Sequence, residues 1–289
     1  MKLDLISAAA EPPARGAEPL GLALGIEPQD IERVLTASRE QGLRFGEAAR
    51  ALGLATQAEI DLALARQFGL PFLKPGGEAL SEELLTAYQP AGPHAEALRA
   101  VRDQLILRWL ERKPESRTLA ILSAARGDGR SFIAANLAVV FAQLGSRTLL
   151  LDADLRNPCQ HRLFALENRI GLSALLAGRA APHEAIERIA SLPNLTVLPA
   201  GAPPPNPQDL LARPAFAHLL RQLGAQSDVV LIDCPPAGAS TDAQTIAVRA
   251  GAALVVVRRH SSRLWRVQGI SASVGEAQAR IVGAVLNER

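Results

Sequence analysis

The hydrophobic pattern changes character along the chain. From Leu20 to about Leu73 apolar residues recur at helical spacing: Ile31, Val34 and Leu35, then Phe45, Ala48, Ala49 and Leu52, then, less regularly, Ile60, Leu62, Leu64 and Phe68. They predict a group of short amphipathic helices. Two stretches are alike, LGIEPQDIERVL and LGLATQAEIDLAL, about 28 residues apart, each a Leu-Gly, a polar segment and a helix. Two such units make a small helical module and fall short of a solenoid. Residues 1–18, rich in Ala, Pro, Glu and Gly, read as a flexible lead-in. Pro71, Pro75, Gly76 and Gly77 mark a break, and a helix is predicted from about Pro93 to Arg112.

Beyond Glu115 the texture becomes alternating. TLAILS (118–123), RTLLLD (147–152), NLTVLP (194–199), DVVLID (228–233), AALVVV (252–257) and IVGAVL (281–286) are apolar runs of strand length with helical segments between them. Continuous apolar runs suit strands buried on both faces, so the class is α/β: a mostly parallel sheet with helices on both faces. The expected organisation is a lead-in (1–18), a helical module (19–90), a linker and helix (91–115) and an α/β domain (116–289).

Composition narrows the function. A formal net charge of +2 without long runs of like charge argues against a nucleic-acid binder, and 3% aromatic residues remove its stacking platforms. Two cysteines, Cys159 and Cys234, favour a reducing compartment. There is no signal-peptide pattern and no apolar stretch long enough to span a bilayer, so a soluble, cytoplasmic protein is expected. The five histidines show no metal-ligand spacing.

The first apolar run leads into AARGDGRSFIAANLAVVFAQLG. A glycine-rich turn between a buried strand and a helix can direct successive N–H groups and the helix dipole at an anion. Gly127 and Gly129 let the backbone curl, and Ser131 can place its hydroxyl on Mg²⁺. Against G-x-x-x-x-G-K-[ST], Ala124 stands at the first glycine and Arg130 at the lysine. The second run ends Asp152-Ala-Asp154-Leu-Arg156 and the fourth ends at Asp233. Three carboxylates at the C-terminal ends of parallel strands, beside that turn, point to a nucleotide-phosphate site with a hard cation.

These residues resemble the bacterial tyrosine kinases, P-loop proteins that govern exopolysaccharide export. The carriers are RGDGRS (126–131), LLLDADLRNP (149–158), QHRLF (160–164), GLSALLAG (171–178), GAPPPNPQDLL (201–211) and LIDCPP (231–236). Glu96, Arg99 and Arg102 match the E-x-x-R-x-x-R motif of ring-like self-association, implying a homo-oligomer. The helical module is similar to the N-terminal domain of type II secretion and pilus ATPases; fused to this kinase it is the arrangement of the EpsG-like chain-length determinant kinases. Some relatives of that module bind cyclic di-GMP. Here only Arg44-Phe45-Gly46 approximates the required repeat, and a protein-docking role is the preferred reading.

The resemblance implies a P-loop NTPase fold, ATP and Mg²⁺, and a membrane polysaccharide copolymerase as partner, with recruitment to the inner membrane through it. Arg126, Gly127, Asp128, Gly129, Arg130, Ser131 and Phe132 would surround the phosphates, with Arg156 fixing the neighbouring loop. Ser131, Asp154 and Asp233 would hold the metal, and Asp152 or Asp154 would orient or deprotonate the attacking hydroxyl while Arg130 neutralises charge. Asp242 is a weaker candidate beside its reading as a helix cap. Asn287 is expected near the adenine, and Arg258 and Arg259 at the surface. Two departures from the family pattern stand out: Arg130 replaces the lysine, and the one tyrosine, Tyr88, takes the place of a C-terminal tyrosine cluster. The acceptor would be Tyr88 or another protein. The alternatives are a regulator that binds nucleotide without phosphoryl transfer and, ranked last, a partitioning-type ATPase.

Overall fold

A computed structural model describes residues 20–67, 69, 71–73, 80–112 and 117–288. The chain forms two compact units, one of residues 1–71 with 89–91, the other of 72–88 with 92–289. The expected lead-in and the break around Pro75 lie outside the described residues.

The small unit contains α1 (Leu20–Ala23), α2 (Pro28–Gln41), α3 (Phe45–Ala51) and α4 (Gln57–Gln67) around a core of Val34, Ala48, Ala49 and Ile60. The two repeats share one physical device. Gly25 and Gly53 both take φ +69, and the next residue donates back to Gly21 and Ala49 respectively, so each Leu-Gly ends a helix in the same left-handed cap. On α4 the buried positions are Ile60, Ala63 and Ala65, whereas the expected face included Leu62 and Leu64.

The large unit begins with α5 (Leu85–Tyr88) and α6 (Pro93–Leu105), which continues as a π-helical turn over Ile106–Leu110. Its sheet comprises β1 (Thr118–Ser123), β2 (Thr148–Asp152), β3 (Glu187–Arg188), β4 (Leu195–Leu198), β5 (Val229–Asp233), β6 (Ala252–Arg258) and β7 (Arg280–Asn287). The order is β3-β4-β2-β5-β1-β6-β7, parallel except for β3 against β4. Helix α7 (Arg130–Gln143) follows β1. After β2 come the short α8 (Gln160–Leu163), α9 (Leu172–Leu176) and α10 (Pro182–Ala185). α11 (Pro207–Ala212) and α12 (Pro214–Gln226) precede β5, α13 (Asp242–Ala250) follows it, and α14 (Leu264–Glu276) joins β6 to β7. Two apolar clusters, one on each face of the sheet, bury β1, β2 and β5 completely.

Three expectations need correction. The segment 72–88, expected in the small module, belongs to the large unit: Asn136 of α7 accepts from the N–H and hydroxyl of Thr86 at 3.0 Å each and donates to the Glu83 carbonyl at 2.9 Å. The helix expected to Arg112 as a linker is instead part of the core, through Leu98, Leu105 and Trp109. It widens into a π turn, with the Glu111 N–H bonded to the Ile106 carbonyl at 3.0 Å, where the large Trp109 side chain is buried. Finally, β3 was missed because its two residues, Glu187 and Arg188, are charged and exposed and give no apolar run.

Candidate active site

The C-terminal ends of β1, β2 and β5 lie side by side, with Asp152 directly opposite Asp233 in the register. Between β1 and α7 the backbone turns through Gly127 at φ +88 and Gly129 at φ +90. A Cβ at Gly129 would also collide with the Asn287 side chain, so glycine is required there twice over. The turn is braced from the far side of the sheet. Buried Asp128 accepts from the Ala125 N–H at 2.8 Å and from the Ser262 hydroxyl at 2.9 Å. Arg258 donates to the Gly127 carbonyl at 2.9 Å, and Asn287 to the Asp128 carbonyl at 3.1 Å. Arg258, expected at the surface, is half-buried there and braces the loop, and Asn287 contacts the loop itself. Separations of 131 and 159 residues leave no local signal of either contact.

Arg130, first residue of α7, is buried with its guanidinium across the carboxylates. Nε donates to Asp233 Oδ1 at 2.8 Å, and Nη2 lies 3.3 Å from Asp154 Oδ2. Burial opposes its charge, but Asp233 and Asp154 outweigh that and raise its pKa above the ordinary arginine value. The side chain expected on the phosphates is therefore committed to the acidic cluster in this structure.

Asp152 is fully buried. Its Oδ2 accepts from the N–H groups of Cys159 at 2.9 Å and Gln160 at 3.0 Å, and its Oδ1 from Asp154 at 3.2 Å. Burial, and then repulsion from Asp233, push its pKa up to about 8 despite those donors. Asp152 thus fixes the loop after β2. Asp154 Oδ1 accepts from the N–H groups of Asn157 at 2.9 Å and Arg156 at 3.3 Å, which leaves Oδ2 to Arg130. Arg156 is ion-paired to Asp242 at 2.8 Å, which joins the loop after β2 to the start of α13.

Gln160 was not among the expected site residues, although it stands in the QHRLF segment. Its Nε2 donates to Asp233 Oδ2 at 2.8 Å and to the Ser131 carbonyl at 3.1 Å. Both partners can only accept, which fixes the amide's orientation and leaves Oε1 buried without a partner. The thiols are not nucleophiles. Burial pushes Cys159 up to about 12 and raises Cys234 well above its usual value.

The remaining candidates are placed differently. Phe132 packs on the hydrophobic core, and Arg126 is exposed on the wall of a pocket of about 830 Å³ that reaches Asp154 and Arg156. Of the association triad, Glu96 is exposed and Arg99 half-buried, but Arg102 is buried and donates to the Val140 carbonyl at 3.1 Å.

The donor set fits a magnesium ion carried with nucleotide. Ser131 Oγ, Asp154 and Asp233 are hard oxygen donors, and the unpartnered Gln160 Oε1 could accept from a hydration water. Among the described residues no group of three or more His, Cys, Asp or Glu side chains is arranged to hold a metal ion unaided. Mg²⁺ takes few carboxylates and completes its shell with water and phosphate oxygens.

A glycine-rich strand-to-helix turn, carboxylates on the two neighbouring strand ends and a mostly parallel sheet define a P-loop nucleoside triphosphatase. The family model described as ParA: NUBPL iron-transfer P-loop NTPase matches residues 115–288. Tyrosine-protein kinase YwqD of Bacillus subtilis is 32% identical over 214 residues, 74% of this chain and 89% of that one. Putative tyrosine-protein kinase CapB of Staphylococcus aureus is 34% identical over 200 residues, 69% of this chain and 86% of its own. The crystal structure of the chimerical protein CapA2B2 covers 79% of this chain and 99% of its own length at 34% identity, with a TM-score of 0.67. The chain belongs to the bacterial tyrosine-kinase family of P-loop proteins.

Proposed function

We propose that the large unit binds ATP with Mg²⁺ and transfers the γ-phosphoryl group to a tyrosine hydroxyl. The observation that carries this is the convergence of Ser131, Asp152, Asp154 and Asp233 beside the phosphate loop, with a pocket reaching Asp154. N–H groups of residues 127–131 cradle the phosphates, and Ser131, Asp154 and Asp233 hold the metal, directly or through water. The bound cation would offset negative charge on the phosphates. Arg130 turns from Asp233 to the transferred group. Asp152, tied to three backbone N–H groups, holds the loop in place, which makes Asp154 the better candidate to orient the acceptor hydroxyl. Tyr88 donates to the Leu80 carbonyl at 2.8 Å and packs on the core, so an acceptor outside these 289 residues is favoured.

The biological setting, control of exopolysaccharide chain length with a membrane copolymerase, rests on the motif resemblance. So do the cytoplasmic location with recruitment to the inner membrane and the assembly through the helix carrying Glu96 and Arg99. No helix among the described residues is long and apolar enough to cross a membrane, so a separate membrane partner is consistent with this reading.

The test is label transfer from γ-labelled ATP with Mg²⁺, with and without a cytoplasmic copolymerase peptide, comparing wild type with Asp152→Ala and Asp154→Ala. Label on a partner tyrosine, lost in both variants, is expected. One observation favours a second reading: Arg130 already neutralises the carboxylates that would hold the metal. Nucleotide binding with neither label transfer nor phosphate release would replace the kinase by an ATP-gated assembly switch.

A further inference from the structure

The pocket of about 830 Å³ has an unusual wall. It runs from the end of β1 and the loop after β2, along the loop that follows β5, to one face of α14. It is lined by Ala124, Ala125 and Arg126 at the start of the phosphate loop and by Asp154, so it opens beside that loop. Its size suits a peptide side chain with its neighbours.

The charged side chains on this wall are Arg126, Arg156, Arg266 and Asp154. Arg156 is neutralised by Asp242, and Asp154 by Arg130. Arg126 and Arg266 make no ion pair among the described residues, so the pocket carries two uncompensated guanidinium groups. Arg266 stands 5.1 Å from the centre of the Trp265 ring. Trp265 is 62% exposed, and Leu264 beside it 71%, on a chain whose other tryptophan is buried. A large exposed indole under a cation, at the rim of a pocket, is a platform for a second aromatic ring flanked by anions.

Resting on the kinase reading above, we propose that this pocket is the acceptor site, and that Trp265 and Arg266, with Arg126, select a tyrosine flanked by acidic residues on a separate polypeptide. The acceptor ring lies against Trp265, and its acidic neighbours pair with the free guanidinium groups. The phenolic hydroxyl reaches Asp154, gives up its proton there, and its oxygen bonds the γ-phosphorus. The bond from that phosphorus to the bridging oxygen breaks, and ADP leaves with the electron pair.

The experiment uses the full chain with ADP and Mg²⁺ and fluorescein-labelled peptides in which one tyrosine is flanked by glutamates, by alanines or by lysines, followed by anisotropy. The glutamate peptide is expected to bind best and the lysine peptide least. Trp265→Ala and Arg266→Glu should each weaken the glutamate peptide about tenfold, with Arg266→Lys close to wild type and nucleotide affinity unchanged in all three. Both side chains are exposed, and circular dichroism confirms that the variants fold. In the label-transfer assay the same changes should raise KM for the peptide and leave kcat alone. Equal binding of the three peptides, or indifference to both variants, overturns the proposal. Loss of ATP affinity in Trp265→Ala would assign the pocket to the nucleotide and overturn it as well. A wild type that binds the glutamate peptide through Trp265 yet never labels it leaves the pocket standing and removes the kinase reading. Labelling that ignores Trp265 and Arg266 does the reverse.

Discussion

Replacing Arg130 by methionine should destabilise the nucleotide-free protein by about 3–5 kcal/mol, the usual cost of leaving a buried charge unpaired. The reasoning is local. Arg130 contacts Asp233 at 2.8 Å and Asp154 at 3.3 Å, and all three side chains are at least nine-tenths buried, so solvent screening does not dilute the effect. Methionine keeps the length and removes the charge, leaving Asp154 and Asp233 together without a cation. For a unit of this size each kcal/mol moves the melting temperature by about 2–4 °C, so a fall of about 10 °C is expected at pH 7.5. Arg130→Lys keeps a cation but not the planar fork that spans two carboxylates, and should fall between the two. The assay is thermal unfolding followed by circular dichroism at pH 7.5. A methionine variant that melts within 2 °C of wild type at pH 7.5, a shift worth about 1 kcal/mol at most, would refute the reasoning.

Three further outcomes are expected. Asp152 holds its proton up to about 8 in the folded state but only to the ordinary carboxylate range when unfolded, so the native state binds the extra proton between those limits. Stability should therefore fall with rising pH across that window, by up to about 1.4 kcal/mol per pH unit; Asp152→Asn should lose this slope, and an unchanged slope would exclude Asp152 as its source. Gly129→Ala forces a side chain into left-handed backbone and onto Asn287, so nucleotide affinity measured by calorimetry should drop at least about tenfold, with Asn287→Ala in the same chain restoring only part. Asn136→Leu strips partners from Thr86 and Glu83 in a buried position and should cost about 2–3 kcal/mol. Hydrogen exchange should then rise in residues 80–88, and unaltered protection there would show that other contacts hold the segment.

What the sequence revealed and what it hid divide along physical lines. Most strands were legible because they are buried on both faces, which demands continuous apolar runs; β7 carries such a run although it is only partly buried, and charged β3 carries none. The candidate carboxylates were legible because Asp152 and Asp233 end such runs and Asp154 follows two residues later. Gln160 was not: its importance comes from bonds to Ser131 and Asp233, neither near it in sequence, and a glutamine in a short helix has no pattern of its own. Arg258 and Asn287 escaped for the same reason, since parallel strands bring residues together that are far apart along the chain. The boundary near residue 90 was misplaced because the prolines and glycines before it advertise a break, whereas Asn136 and Thr86 are single polar residues whose pairing only tertiary structure creates.

Helix α7 is buried around almost its whole circumference from Ile133 to Gln143, and segments 72–88 and α6 are hydrogen-bonded to its Asn136, Gln143 and Val140. Such a helix has no free side along which to slide or tilt without opening the core. The phosphate loop at its N-terminus is thus mounted on a fixed post, and the loop after β2 is held as firmly, by the three N–H groups on Asp152 and by the Arg156–Asp242 pair, so the part left to move over the cradle is the side chain of Arg130. Turnover in this protein should be a matter of one side chain moving over a stationary cradle.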